Sequence, residues 1–340
     1  MSDGPDSEVV GEHVEPSLDS QRKMAGILRI LEDAGQPLGS TKIARALRAA
    51  GIDLKQRMVR NYLEALDASG HTVNLGRRGR RITEIGRQEL ASAVIIDKVG
   101  FIDAKADDLA FRMSFDLAKR SGTVIINSST VPADHLKNAR TVAAQAMRAG
   151  LGMGWLGIVS AEGSEAGGLP PPPGRAVIGT VCSITLNGCL RAAGVPVISR
   201  FGGLLEMRDN RPVRFTHIIH YNGTTLDPLE IFIKARMTSV LAAAATGTGA
   251  IGASFREVPA VALPLVHRII AQMAEAGLGG KIVVGEPNRP LIGIPIVQGR
   301  VGIVVSGGLN PLAAIQESGI PTENHALSRL CEYSSLVSLV

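Results

Sequence analysis

Four arginines occupy five consecutive positions, with Arg77, Arg78, Arg80 and Arg81 surrounding Gly79. Shortly before them lies a second polar cluster made of Lys55, Gln56, Arg57, Arg60 and Asn61. Guanidinium and ammonium groups neutralise phosphates, and Arg, Gln and Asn carry the donor pairs that read base edges. The chemistry these residues offer is recognition of a polyanion. A different group is spread further along the chain: Ser183, Asn187 and Asn310 beside glycine-rich turns, with Arg200, Arg214, Arg256 and Arg289 in neighbouring segments. Helix-start donors and bidentate arginines suit a small carboxylate. Helix capping by Ser and Asn, with arginines merely solvated, accounts for the same residues equally well.

Other patterns fail on context. Gly247, Gly249 and Gly252 spell a dinucleotide fingerprint, but that motif must follow a strand, and here it follows the alanine-rich stretch 237–245, which reads as a helix. His217 and His220 lie three apart in an alternating segment, which puts them on opposite faces of a strand and argues against a shared metal. The cysteines Cys182, Cys189 and Cys331 are too few for a four-ligand zinc site and read as small buried apolar groups. We therefore expect no metal, no resident cofactor and no catalytic constellation.

The elements that must hold the basic clusters are legible. A helix from Ser20 to Ala34 carries Met24, Ile27, Leu28 and Leu31 on one face, and a second spans 41–50 with Ser40 as cap. A third covers 55–69, with Val59, Tyr62, Leu63 and Leu66 on one stripe and the polar cluster opposite. Alternation at 71–75, a turn at 76–79 and a return at 80–83 make a hairpin, and 84–94 read as a linker helix. Three helices followed by a basic hairpin is the order of a winged helix-turn-helix, expected over 21–90, whose third helix enters the major groove while the wing touches phosphates. A protein-interaction or dimerisation role for the same module stays open.

Charge agrees with this division. Residues 1–20 hold six acidic side chains and no Lys or Arg, and are expected to be a disordered tail, whereas 21–90 carry 14 basic against 7 acidic residues. The start is the opposite of a signal peptide, and no apolar run reaches bilayer length, so a cytoplasmic protein with no membrane segment is expected.

From about residue 95 to 330 the chain is rich in glycine and in apolar runs suited to buried strands, and it repeats itself at offsets of 123–127. Ile126, Ser129, Val131 and Pro132 recur as Ile251, Ser254, Val258 and Pro259; Gly174-Arg175 as Gly299-Arg300; Ser183, Leu186 and Asn187 as Ser306, Leu309 and Asn310. Two α/β halves, 97–200 and 213–325, related by a pseudo-twofold axis with a ligand crevice between them, are the simplest account.

Several segments carry a family resemblance. They are Phe201-Gly202-Gly203-Leu204-Leu205-Glu206, Leu226-Asp227-Pro228-Leu229-Glu230, Phe255-Arg256-Glu257-Val258-Pro259 and Gly307-Gly308-Leu309-Asn310-Pro311. Together with Gly100-Phe101-Ile102-Asp103, they make the chain resemble the NrpR family, the nitrogen-regulation repressors of methanogenic archaea. The resemblance implies a repressor of nitrogen-assimilation genes that releases operator DNA when 2-oxoglutarate occupies the regulatory domain. It does not say which residues bind that effector. A homodimer reading a palindrome is the expected assembly. The rivals are an enzyme acting on a small carboxylate with an accessory winged helix, and a co-repressor that works through another DNA-binding protein.

Overall fold

The computed structural model describes residues 18–49, 52, 54–90 and 101–340. The expected tail lies outside them up to residue 17, as do residues 91–94 of the expected linker helix and the junction at 95–100. The chain divides into two compact units, Met1–Gly100 and Phe101–Val340.

In the first unit α1 (Leu18–Ala34) already starts inside the stretch expected to be tail, followed by α2 (Ser40–Ala49) and α3 (Gln56–Ala68). Apolar residues at helical spacing converge: Ile27, Leu28 and Leu31 meet Ile43, Leu47, Val59, Leu63 and Leu66, all buried. Strands β1 (Thr72–Asn74) and β2 (Arg80–Ile82) pair antiparallel, and the chain between them turns through a 3₁₀ segment, Gly76–Arg78. Gly79 is required here. Its φ is +99°, and a Cβ would stand 2.4 Å from the Leu38 carbonyl, because Leu38 forms a single antiparallel bridge to Arg80. Residues 84–90 form α4.

The second unit holds two five-stranded sheets. Its elements are α5 (Ile102–Arg112), β3 (Thr123–Pro132), α6 (Leu136–Arg148), β4 (Leu156–Ser160), β5 (Arg175–Val181), α7 (Ile184–Ala192), β6 (Ile198–Arg208) and β7 (Arg211–His220). There follow α8 (Pro228–Lys234), α9 (Val240–Thr246), β8 (Gly249–Pro259), α10 (Leu263–Glu275), β9 (Ile282–Val284), β10 (Arg300–Ser306), α11 (Asn310–Glu317), β11 (Glu323–Glu332) and β12 (Val337–Ser338). The sheets run β11-β3-β5-β4-β12 and β7-β6-β8-β10-β9. The triplets β3-β5-β4 and β8-β10-β9 share one order, and each is flanked by the strand that follows the other's last helix: β6 leaves α7 to join β8, while β11 leaves α11 to join β3. Each segment expected as a half, 97–200 and 213–325, thus supplies one triplet, and the strand after it, β6 or β11, pairs in the other sheet. Helices interleave too, α6 against α11 and α7 against α10.

The ladders also set a register between the two triplets that differs from the sequence alignment. Pro132 pairs with Arg175 and Pro259 with Arg300, which fixes the offset at 127 between β3 and β8 and at 125 between β5 and β10. By that count Arg256 stands where Ser129 stands, and Asn310 corresponds to Thr185, not to Asn187. The hydrogen bonds agree. Thr185 Oγ1 holds both backbone groups of Ile125, at 3.3 and 3.4 Å, as the Asn310 amide holds those of Gly252, both at 2.8 Å. Asn187 and Asn310 are therefore not equivalent, although both follow a leucine. The glycine fingerprint resolves as expected: Gly247, at φ +76°, ends α9 and β8 follows.

Candidate functional site

On the first unit, Lys55 precedes α3 with extended backbone, and Gln56, Arg57, Arg60 and Asn61 project from its first turns, all exposed. Two of them also reach back to the start of α2. Gln56 Nε2 donates to Thr41 Oγ1 at 2.7 Å and Ser40 Oγ at 3.4 Å, and Arg60 Nε donates to Ser40 Oγ at 3.4 Å. These hydroxyls, which sequence reasoning missed except as a cap, hold the two helices at their crossing. In the wing Arg77, Arg78 and Arg81 are exposed. Arg80 is not free. Its Nε donates to Asp67 Oδ2 at 2.8 Å with both side chains largely covered, and Asp67 Oδ1 accepts from Thr72 Oγ1, so Arg80 fastens the wing to α3. Arg80 thus departs from the phosphate-facing role expected of it, because it points inward while Arg81 points out.

In the second unit the residues proposed for a carboxylate separate into those brought together and those kept apart. Arg214 is exposed and pairs with Glu206 at 2.8 Å, and Arg289 is exposed and pairs with Glu286 at 3.0 Å. Asn310 is spent on the backbone of Gly252 and Leu151. These three lie outside any common site.

Ser183, Asn187 and Arg256 do converge. Arg256 is wholly buried on β8, and its Nη1 donates to the Ser183 carbonyl at 3.0 Å and to Asn187 Oδ1, while Nη2 donates to Ser254 Oγ at 2.6 Å and Ser183 Oγ at 3.3 Å. Every one of these acceptors is neutral, and Nε has no partner. The neighbouring carboxylate cannot help: Glu257, the next residue of the strand, points to the opposite face and is claimed by Arg200 at 2.7 Å. A buried cation without a counter-ion is costly, and desolvation pulls the Arg256 guanidinium below its usual range. Ser183 and Asn187 do not cap α7 with their side chains; their oxygens are held by Arg256.

Beside this cluster opens a cavity of about 530 Å³ lined by Ile184, Ser199, Arg200, Tyr221, Asn222 and Asp107, among others. Ser199 is the ladder partner of Arg256, and its hydroxyl accepts from Asn187 Nδ2 at 2.9 Å, which leaves its own O–H to donate. Arg200 is the extra residue of a β-bulge between Ser199 and Phe201, a device that re-aims a side chain. Burial pushes the Cys182 thiol up to about 12 and raises the Tyr221 hydroxyl, so both stay neutral. Asp227, which caps α8 by accepting from Leu229 N at 2.8 Å, is pushed up to about 6, first by desolvation and then by Glu230. Ser199, Tyr221, Asp227 and Ser254 were not singled out from sequence as site residues. Asp227 lay within a family segment and Ser254 within the repeated pattern, while Ser199 and Tyr221 gave no local signal. Among the described residues no cluster of His, Cys, Asp and Glu is arranged to hold a metal.

Residues 99–338 match the family model described as NrpR regulatory domains NRD1 and 2, and residues 25–90 match that of the Ribonuclease R winged-helix domain. The chain is 33% identical over 316 residues to the global nitrogen regulator NrpRI of Methanosarcina mazei, covering 93% of this chain and 97% of that one. Identity to the global nitrogen regulator NrpR of Methanococcus maripaludis is 28%, over 91% of this chain and 54% of the relative. For NrpR of Methanocaldococcus jannaschii the values are 29%, 94% and 54%, so the chain spans about half the length of these two. A crystal structure of a nitrogen repressor-like protein from Methanococcus jannaschii superposes with a TM-score of 0.61 at 28% identity, covering 71% of this chain and 99% of that one. These relatives are named as regulators, which sets the enzyme alternative aside. Matched over its regulatory portion and preceded in sequence by a winged helix, the chain belongs to the NrpR family of nitrogen regulators.

Proposed function

We propose that the protein is a cytoplasmic repressor that binds the operators of nitrogen-assimilation genes through its winged helix and is released when 2-oxoglutarate enters the cavity beside Arg256. The observation that carries the effector part is the buried Arg256 guanidinium, surrounded by neutral acceptors and with an unpaired Nε, whose ladder partner Ser199 lines the cavity. A dicarboxylate supplies the missing negative charge. One carboxylate meets Arg200 and the Ser199 hydroxyl, and the field of Arg256, little screened in the interior, acts on it from behind. Asp103 and Asp107 line another part of the wall and repel a second carboxylate from there, which orients the ligand. The two interleaved sheets are read as a duplicated unit, 97–200 and 213–325, of which only the second copy's strand carries an arginine at this position.

For DNA, Arg57 and Asn61 read base edges, Gln56 and Arg60 do so from positions braced on α2, and Lys55, Arg77, Arg78 and Arg81 contact phosphates. A homodimer places two such faces on half-sites about one helical turn apart, or a multiple of it. Effector binding favours a dimer geometry with the wrong spacing, which requires tighter binding to the non-operator state by about 1–3 kcal/mol. The test is a titration of the full chain against fluorescent upstream DNA at fixed salt. The DNA complex is expected to form and to dissolve in millimolar 2-oxoglutarate but not in succinate. DNA binding indifferent to 2-oxoglutarate removes the effector, and no DNA binding at all removes the repressor reading.

A further inference from the structure

The basic face of the winged helix is unusual in what it lacks. Lys55, Arg57, Arg77, Arg78 and Arg81 are exposed, and none has an ion-pair partner among the described residues. Three acids of this unit pair elsewhere, Asp67 with Arg80 and both Glu32 and Glu84 with Arg87. The same chain carries the complement. Residues 1–17 contain Asp3, Asp6, Glu8, Glu12 and Glu15 with no lysine or arginine, and they join the domain directly at Leu18, where α1 begins.

We propose that this acidic N-terminal segment docks on the basic face of its own winged helix and competes there with the DNA backbone. The inference rests on the DNA-binding reading above for its consequence, but not for the contact itself. Reach is sufficient. A stretch of 17 residues spans up to about 56 Å when extended, while a domain of some 70 residues has a radius of gyration of about 11 Å, so no point of the face is out of range. Tethering presents the carboxylates at an effective concentration of order millimolar, enough for weak charge contacts to be populated. Carboxylates neutralise the same arginines as phosphates do, but with one charge every two to four residues they bind less densely than a duplex. A duplex that needs this face must first displace the segment, so operator and non-operator DNA lose affinity by the same factor, set by the fraction of chains whose face is free.

Two measurements on the full chain test this together. Removing residues 2–17, or neutralising them with Asp3→Asn, Asp6→Asn, Glu8→Gln, Glu12→Gln and Glu15→Gln, is expected to tighten binding to operator and non-operator DNA alike, about three- to tenfold near 50 mM salt and not at all near 0.5 M. Without any DNA, carbodiimide treatment of the intact chain is expected to couple the exposed Lys55 or Lys42 amine to a carboxylate of residues 3–15, as mapped by mass spectrometry, and high salt or added duplex is expected to abolish the coupling. Unchanged DNA affinity in both variants overturns the competition, and absence of the cross-link at low salt overturns the docking. If neither full chain nor variant binds DNA, the repressor reading falls, and the cross-link alone then decides whether the segment occupies this face.

Discussion

Arg256 carries a positive charge in the middle of β8, and all its hydrogen-bond acceptors are neutral oxygens. Arg256→Met removes a desolvated charge but strands the acceptors of Ser183, Asn187 and Ser254. Because these terms oppose, the change in unfolding free energy is expected to stay within about 2 kcal/mol, read as the urea midpoint. Asp227 yields a pH prediction. Its folded value near 6 exceeds the usual carboxylate value of 3.8, so between those limits the folded chain binds more protons than the unfolded one, and stability falls as pH rises from 4 to 6. The accumulated loss is on the order of 2 kcal/mol. Asp227→Asn keeps a side-chain acceptor for the α8 cap and should flatten this slope, which chemical denaturation at pH 4, 5, 6 and 7 will show; an unchanged slope assigns it to other groups.

At the scale of elements, the proposed DNA contact divides positioning by the wing from reading by α3. Arg78→Ala is expected to weaken binding to all DNA about equally and to lower the slope of log affinity against log salt by about 1, whereas Arg57→Ala should also relax base preference by roughly 1–3 kcal/mol at one position. Arg80→Ala should instead cost about 1 kcal/mol of stability, since it leaves the partly covered Asp67 without its cation; a DNA-binding loss with unchanged melting would contradict its assignment as a fastener. Much of this unit was legible in advance. The stripes Ile27–Leu31 and Val59–Leu66 follow a 3.6 period, and a glycine-centred basic hairpin has few readings, so helix ends came out within two residues. What could not be read was direction: Arg80 and Arg81 are adjacent in sequence, and only the strand pairing of β1 with β2 turns one in and the other out. In the second unit the GxGxxG stretch was correctly read as a helix end, but Asn187 and Asn310 were matched by residue identity. Sequence similarity tolerates a two-residue slip that ladder registers do not, so the likeness of these asparagines concealed that one holds Arg256 and the other holds a strand.

The second unit as a whole is bound by exchange of strands between its sheets. Neither β3-β5-β4 nor β8-β10-β9 can keep its flanking strand if the other unravels, because β6 and β11 each belong by sequence to one side and by pairing to the other. A fragment of residues 101–340 is therefore expected to unfold in one transition by both fluorescence and circular dichroism, and a plateau between two transitions would mean that the halves are independent. For the proposed effector the same crossing means leverage on both sheets, since α7 of one side and β8 of the other meet at the Arg256 guanidinium. Sequence showed two similar segments but not their exchange, which depends on where β6 and β11 lie in space and leaves no periodic trace. The most direct test of the account is a calorimetric titration of 2-oxoglutarate into the full chain and its Arg256→Met variant. The account predicts saturable binding to the first and at least a tenfold weaker or undetectable heat in the second, with both folded; equal affinity in the two would place the effector elsewhere.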